Sequence, residues 1–213
     1  GYSILVPDNA VIIANGGIIK QADDAPDWCR TVSFRDASAF HVFGTLRVDA
    51  NVENVTGGNE HMHGVFLYDS SDFYIGAIDS GSARGVNVYL GGTSNTRGAC
   101  DGYIGRMVGA KAGRKNLVGQ CFVNVHIGSA DLNNTAGGAA IFGGVADTTD
   151  GNCFDIEPDS FDGTVPNRMV IDYLYTKGAG NDLSAGTTAV IADAMVISIG
   201  KWNCEIVSRS TVP

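Results

Sequence analysis

Six stretches decide how this chain is read: Thr45-Leu-Arg-Val48, Phe73-Tyr-Ile-Gly-Ala-Ile78, Tyr103-Ile-Gly-Arg-Met107, Val123-Asn-Val-His-Ile127, Met169-Val-Ile-Asp-Tyr-Leu174 and Met195-Val-Ile-Ser-Ile199. Each is a short run rich in β-branched and aromatic residues, followed by a Gly, Asp or Asn turn. Anchored on Leu46, Ile75, Ile104, Ile127, Ile171 and Ile197, they recur at steps of 29, 29, 23, 44 and 26 residues. A second series is interleaved with the first: Gly64-Val-Phe-Leu-Tyr68, Gly85-Val-Asn-Val-Tyr-Leu90, Gly138-Ala-Ala-Ile-Phe142, Cys153-Phe-Asp-Ile156 and Thr188-Ala-Val-Ile191. Repeats of about 20 to 30 residues, each with two or three short strands and no helix-period segment, predict a parallel β-solenoid of about six or seven coils. In such a coil stack the strands lie about 4.8 Å apart, and each residue sits over its counterpart one coil earlier. The alternative is a β-sandwich, which expects hairpin turns about every 8 to 12 residues. Hairpin-type dipeptides such as Asn15-Gly16, Asp101-Gly102 and Asp150-Gly151 are too few to account for the repeat.

Composition agrees with strands and turns. Glu, Lys, Gln and Leu, the common helix formers, number 19 together, against 37 for Val and Ile, so an all-β fold is expected. Glycine contributes 29 of 213 residues, and 19 of the 23 acidic residues are Asp, the acid that favours turns. With 14 basic residues the net charge is −9, which argues against a nucleic-acid partner. No run of 18 apolar residues occurs, so no membrane insertion is expected. Five cysteines without C-x-x-C spacing imply neither a disulfide framework nor a zinc knuckle.

The organisation expected is a single domain, 1–213. Residues 1–20, with strands around Pro7-Asp-Asn9, form a first coil, and the polar segment 21–37 is a loop. The remaining coils occupy 38–213, with a long loop at 133–151. From the opening Gly-Tyr-Ser, without an initiator Met, a fragment or a processed product is expected.

Four runs carry a family resemblance: Gly85-Val-Asn-Val-Tyr-Leu-Gly-Gly-Thr93, Arg114-Lys-Asn-Leu117, Val125-His-Ile-Gly-Ser-Ala-Asp-Leu-Asn-Asn-Thr135 and Cys153-Phe-Asp-Ile-Glu-Pro-Asp159. Taken in order, they resemble right-handed, single-stranded parallel β-helix proteins of the pectate-lyase-like superfamily. The branch they resemble most is that of bacteriophage tailspikes and secreted polysaccharide-acting proteins. Asp155-Ile-Glu-Pro158 is the most specific part, and Cys153-Phe154 departs from the Gly-Ile usual there. The resemblance implies a groove along one flank, a bacterial surface polysaccharide as partner, a homotrimer, and a place on a virion tail appendage or otherwise outside the cell. It leaves three functions open: a tailspike-type protein that binds and cleaves the polysaccharide, a non-enzymatic virion shaft, and a secreted bacterial lyase or epimerase.

Candidate site residues follow from strand parity. Asp155 and Glu157 are two apart in a strand, so both face away from Phe154 and Ile156, at a Cα separation of about 6.5 to 7 Å. Such a pair suits acid–base work across a glycosidic bond, with Asp159 as a third acid; a structural role for the same carboxylates stays open. Asp147 and Asp150, in the long loop, would border a substrate groove near Asp155. No cofactor is called for, and no metal site is assigned; a Ca2+ ion shared by these acids is the one cation the chemistry would admit. Lys111, Arg114 and Lys115 form the basic cluster of an acidic chain, and Arg114 and Lys115 are assigned to hold an anionic saccharide. The competing reading of that cluster is an exposed turn closed by Asn116. His61 and His63 would share one strand face, and Tyr68, Tyr74, Tyr89, Tyr103 and Trp202 would stack on sugars or pack along the flanks.

Overall fold

The computed structural model describes residues 2–55, 61–93, 98–134, 153–156, 167–178, 183–185 and 195–206. The chain alternates between two sheets. Short strands build sheet A: β1 (Tyr2–Leu5), β4 (Arg30–Arg35), β6 (Val65–Tyr68), β8 (Val86–Gly91), β10 (Lys115–Gly119), β12 (Phe154–Ile156) and β14 (Leu183–Ala185), hydrogen-bonded in that order. Mostly longer strands build sheet B: β2 (Val11–Ala14), β5 (His41–Asp49), β7 (Tyr74–Gly81), β9 (Ala99–Ala110), β11 (Phe122–Asn134), β13 (Asn167–Gly178) and β15 (Met195–Ile206). β3 (Ile18–Lys20) also pairs with β5. Every pairing is parallel, and no helix occurs among the described residues. Seven coils, each contributing a strand to either sheet, make a parallel β-helix, as the repeat predicts.

The core is a set of columns running along the axis. Val32, Val65, Val88, Leu117 and Phe154 align across sheet A, and Val42, Ile75, Ile104, Ile127 and Ile171 across sheet B. A third column, Leu46, Ile78, Met107, Ala130 and Leu174, lies further along sheet B. All belong to one buried cluster. Phe34, Phe40 and Phe73 stack inside the early coils, with ring centroids 4.6 and 5.5 Å apart.

Between the two sheet B columns lie two residues, not one, as in Ile104-Gly-Arg-Met107. A straight strand alternates residue by residue, so two inward positions three apart mean that the strand bends between them. Gly76, Gly105, Gly128 and Gly200 stand at this bend in successive coils, with Asp172 in the one between. At the glycines the coils approach too closely for a side chain pointing along the axis, whereas the Asp172 carboxylate reaches His126 Nε2 at 2.9 Å. A Cβ on Gly128 would lie 2.6 Å from the Gly105 carbonyl oxygen, and one on Gly200 2.7 Å from that of Asp172. The next corner, where sheet B hands over to sheet A, is held by buried asparagines. Asn87 Nδ2 donates to the Ala110 carbonyl at 2.8 Å and to Asn116 Oδ1 at 2.6 Å. Its own Oδ1 accepts the Ala83 N–H at 3.2 Å.

Three sequence expectations shift. The true counterparts of Ile75 and Ile171 at either end are Val42 and Ile199, so the coil steps are 33, 29, 23, 44 and 28 residues. Leu46 misleads because the β5–β7 register slips between Val42 and Thr45, where Gly44 takes φ +86°. The expected loop 21–37 contains β4, whose Val32 and Phe34 point inward. The expected loop 133–151 begins inside β11, which runs through Asn133 to Asn134; residues 135–152, and with them 138–142, lie outside the described residues, as does 188–191.

Gly128→Val is expected to destabilise the fold by about 1–3 kcal/mol or more, because the added atoms meet backbone and not a side chain that can move. Gly17→Ala, where a Cβ meets nothing within 4 Å, should stay within about 0.5 kcal/mol. Denaturant unfolding of both variants checks this; equal effects would contradict the close-approach account.

Candidate functional site

The outer face of sheet A gathers rings and cations from four coils. Parity along β4, β6 and β8 turns Ser33, Phe66 and Tyr89 outward in one row, and register places Arg35 and Tyr68 in the next, level with Gly91. Trp28 and His61 flank the start of this face, and Gln120 follows β10. Together with Arg30 and His63 they line a pocket of about 240 Å³.

The rings support one another. His63 stacks on Tyr89 at 4.7 Å and on Phe66 at 5.5 Å, Phe66 stacks on Tyr68 at 5.0 Å, and Trp28 stacks on His61 at 4.3 Å. The Arg30 guanidinium lies 4.7 Å from the Phe66 centroid and 5.7 Å from that of Trp28, and it donates to the Trp28 carbonyl at 2.9 Å. Arg35 lies over Tyr68 at 5.5 Å and pairs with Asp36 at 3.5 Å. Guanidinium groups placed over rings are attracted to the ring faces, which restrains their position. The Tyr89 hydroxyl and Gln120 Oε1 are 2.6 Å apart. Gly91 makes that contact possible, since a Cβ there would stand 2.7 Å from Gln120 Oε1 and overlap the Tyr89 ring.

His63 and Phe66 are the buried members of the group. The His63 Nδ1 accepts the Val86 N–H at 3.2 Å, so the neutral ring carries its hydrogen on Nε2. Burial pushes its pKa well below the usual 6.5, and the charges of Arg30, His61 and Arg114 add to the shift. His63 therefore works in this pocket as an uncharged donor.

The residues expected from sequence fall differently. Asp155 does face away from Phe154 and Ile156, but it is not a solvent-facing acid: it is buried, and Lys115 Nζ donates to its Oδ2 in a buried ion pair. Lys115 accordingly lies in strand β10, not in an exposed turn, and its charge is engaged by Asp155. Arg114 lies just before β10, close enough to act electrostatically on His63. Glu157, Asp159, Asp147 and Asp150 lie outside the described residues. His61 and His63 meet edge to face at 6.0 Å within the aromatic group. Tyr68 and Tyr89 are brought into the pocket, whereas Tyr74 and Tyr103 stack at 5.6 Å on the outer face of sheet B, and Trp202 donates to Thr176 Oγ1 at 3.0 Å. Trp28, Arg30, Arg35, Phe66 and Gln120 are the pocket residues that sequence reasoning missed. Arg30-Thr-Val-Ser-Phe-Arg35 alternates like a strand, and recognising it would have placed Arg35 on the outer face with Ser33; Arg30 has the parity of the inward Val32 and Phe34 and lines the pocket from the first position of the strand.

The fold and this flank define a parallel β-helix with a ring-and-arginine pocket on its short-stranded sheet. Comparison of the chain with protein-family models, with curated proteins and with solved structures returns no match.

Lys115→Met should cost about 3–5 kcal/mol by stranding a buried carboxylate, and the double change Lys115→Met with Asp155→Leu should restore most of it. Denaturation midpoints of the single and double variants decide this; a costless single change would contradict it. The His63 shift also makes stability depend on pH. Its folded-state pKa is below its unfolded one, so the unfolded chain takes up the proton first as pH falls. Stability from this group is complete above about pH 6.5 and declines below that towards the folded-state value. In His63→Gln the loss of stability between about pH 7 and pH 5 should be smaller than in the wild type. Thermal melts across that range test the sign.

Proposed function

We propose that this chain is a tailspike-type β-helix that binds a bacterial surface polysaccharide in the sheet A pocket, on a virion appendage or otherwise outside the cell, assembled as a homotrimer. One observation carries the reading: Trp28, Phe66, Tyr68 and Tyr89 share a pocket with Arg30, Arg35 and the Tyr89–Gln120 pair. Apolar ring surface suits the C–H faces of a sugar, and the polar groups between the rings suit its hydroxyls. All of them stand on, or directly flank, strands of a continuous sheet, so little ordering is left to do on binding. A virion shaft with no ligand would need none of this.

The reading is of binding. None of the described lining residues is a carboxylate, and the buried pairing of Asp155 with Lys115 opposes its use as an acid or base. Cleavage, if the chain performs it, falls to Glu157 and Asp159.

Tyr89→Ala should weaken binding to the recognised polysaccharide at least about tenfold, the equivalent of about 1.4 kcal/mol, with the fold retained. Gly17→Ala should bind as the wild type does. Titration against a panel of capsular polysaccharides and lipopolysaccharides measures both. Unchanged affinity in Tyr89→Ala, or no binding to any member of the panel, would overturn the proposal.

A further inference from the structure

We infer that the outer face of sheet B is where copies of this chain pack on one another, side by side with their axes parallel; the inference rests on the reading above only for the homotrimer, to which it gives a contact face. Parity and register turn Val11, His41, Tyr74, Tyr103 and His126 outward in one row across five coils, with Ile13 and Phe43 beside it. Ring follows ring along the row: Phe43 to Tyr74 at 6.0 Å, Tyr74 to Tyr103 at 5.6 Å and Tyr103 to His126 at 5.3 Å. The strip faces water, with Val11 64%, Ile13 69%, Phe43 49% and Tyr74 38% exposed. A contiguous exposed apolar patch of this kind marks a contact surface. None of its residues is Lys, Arg, Asp or Glu, although the chain carries 14 basic and 23 acidic residues. Copies of a chain with net charge −9 repel one another, so an uncharged strip is the surface on which they meet at least cost.

The two margins of the strip differ in sign. Before the row Asp72 and Asp101 stand exposed one above the other, and past the bend Arg106 stands exposed on the same strand as Asp101. Arg47, further on, is paired with Asp79, whereas Arg106 has no ion pair among the described residues. Rotation about an axis parallel to the helix brings the strand-start margin of one copy against the post-bend margin of the next, at one height, because Asp101 and Arg106 share β9. Acid then meets base around an apolar centre. At about 4.8 Å per coil and about 3.3 Å per residue, the outer face of sheet B covers about 1,000 Å², against the roughly 800 Å² per partner that a stable interface needs. Sheet A takes no part, so its pocket stays open in the assembly.

Sedimentation equilibrium of the wild type, Phe43→Glu, Tyr74→Glu, Arg106→Glu and Arg106→Lys tests this, with circular dichroism to confirm the fold of each. The wild type should sediment as a trimer, and Phe43→Glu and Tyr74→Glu as monomers. Arg106→Glu should weaken association at least about tenfold, and Arg106→Lys should keep most of it. If either ring variant fails to fold, the Arg106 pair carries the test. An oligomer that every one of these substitutions leaves intact would overturn the inference and leave the homotrimer standing. A wild-type monomer would overturn both, and saccharide binding, measured separately, would stand. Lost saccharide binding in Tyr74→Glu with its trimer intact would also overturn the inference, because the strip would then be a ligand platform.

Discussion

Stacking of one coil on the next in parallel register is the constraint on which everything else in this molecule depends. Each strand finds its backbone partners in the coils before and after it, so a residue's neighbours along the axis are set by the hydrogen-bond ladder and not by its own preferences. Inside, this aligns Val42, Ile75, Ile104, Ile127 and Ile171 into one column. At the bend of sheet B it brings the carbonyl of one coil against the Cα of the next, and so calls for the glycines from Gly76 to Gly200. At the following corner it leaves buried backbone carbonyls to be met, and Asn87 meets one while linking to Asn116. Apolar columns, a glycine row and an asparagine pair are three answers to one geometric demand.

The same register builds the outer face. Ser33, Phe66, Tyr89, Val118 and Asp155 align in one outward row because their inward neighbours do. Ring-on-ring and cation-on-ring contacts then arise between residues 23 to 36 positions apart in the chain, as between Phe66 and Tyr89 or Arg30 and Phe66. A pocket made in this way belongs to the sheet itself. Its side chains are fixed by packing against one another, which is the preorganisation a recognition site requires. Further along the row Asp155 is buried in an ion pair with Lys115 in place of rings, and there the chemistry is structural.

How much of this is legible in the sequence depends on whether a feature repeats. The Ile-Gly-x-apolar run recurs in four coils, so the solenoid and its coil number follow from spacing alone. The offsets at Leu46 and Ile197 come from a local slip at Gly44 and from choosing the wrong inward residue of β15, neither of which the spacing marks. β4 is concealed because the polar stretch from Gln21 to Asp27 dominates its surroundings, and with it go Arg30 and Arg35. For Asp155, parity correctly gives the direction of the side chain. Its burial and its partner do not follow from parity, since Lys115 is 40 residues away and meets it only through the β10–β12 pairing.

The central proposal, that register builds a saccharide site on the outer face of sheet A, is tested most directly by hydrogen exchange with and without a saturating capsular oligosaccharide. The account predicts added protection concentrated in β4, β6 and β8 and in the turn carrying Gln120, with the bend of sheet B unchanged. Protection centred on the outer face of sheet B, around Tyr74 and Tyr103, would contradict it.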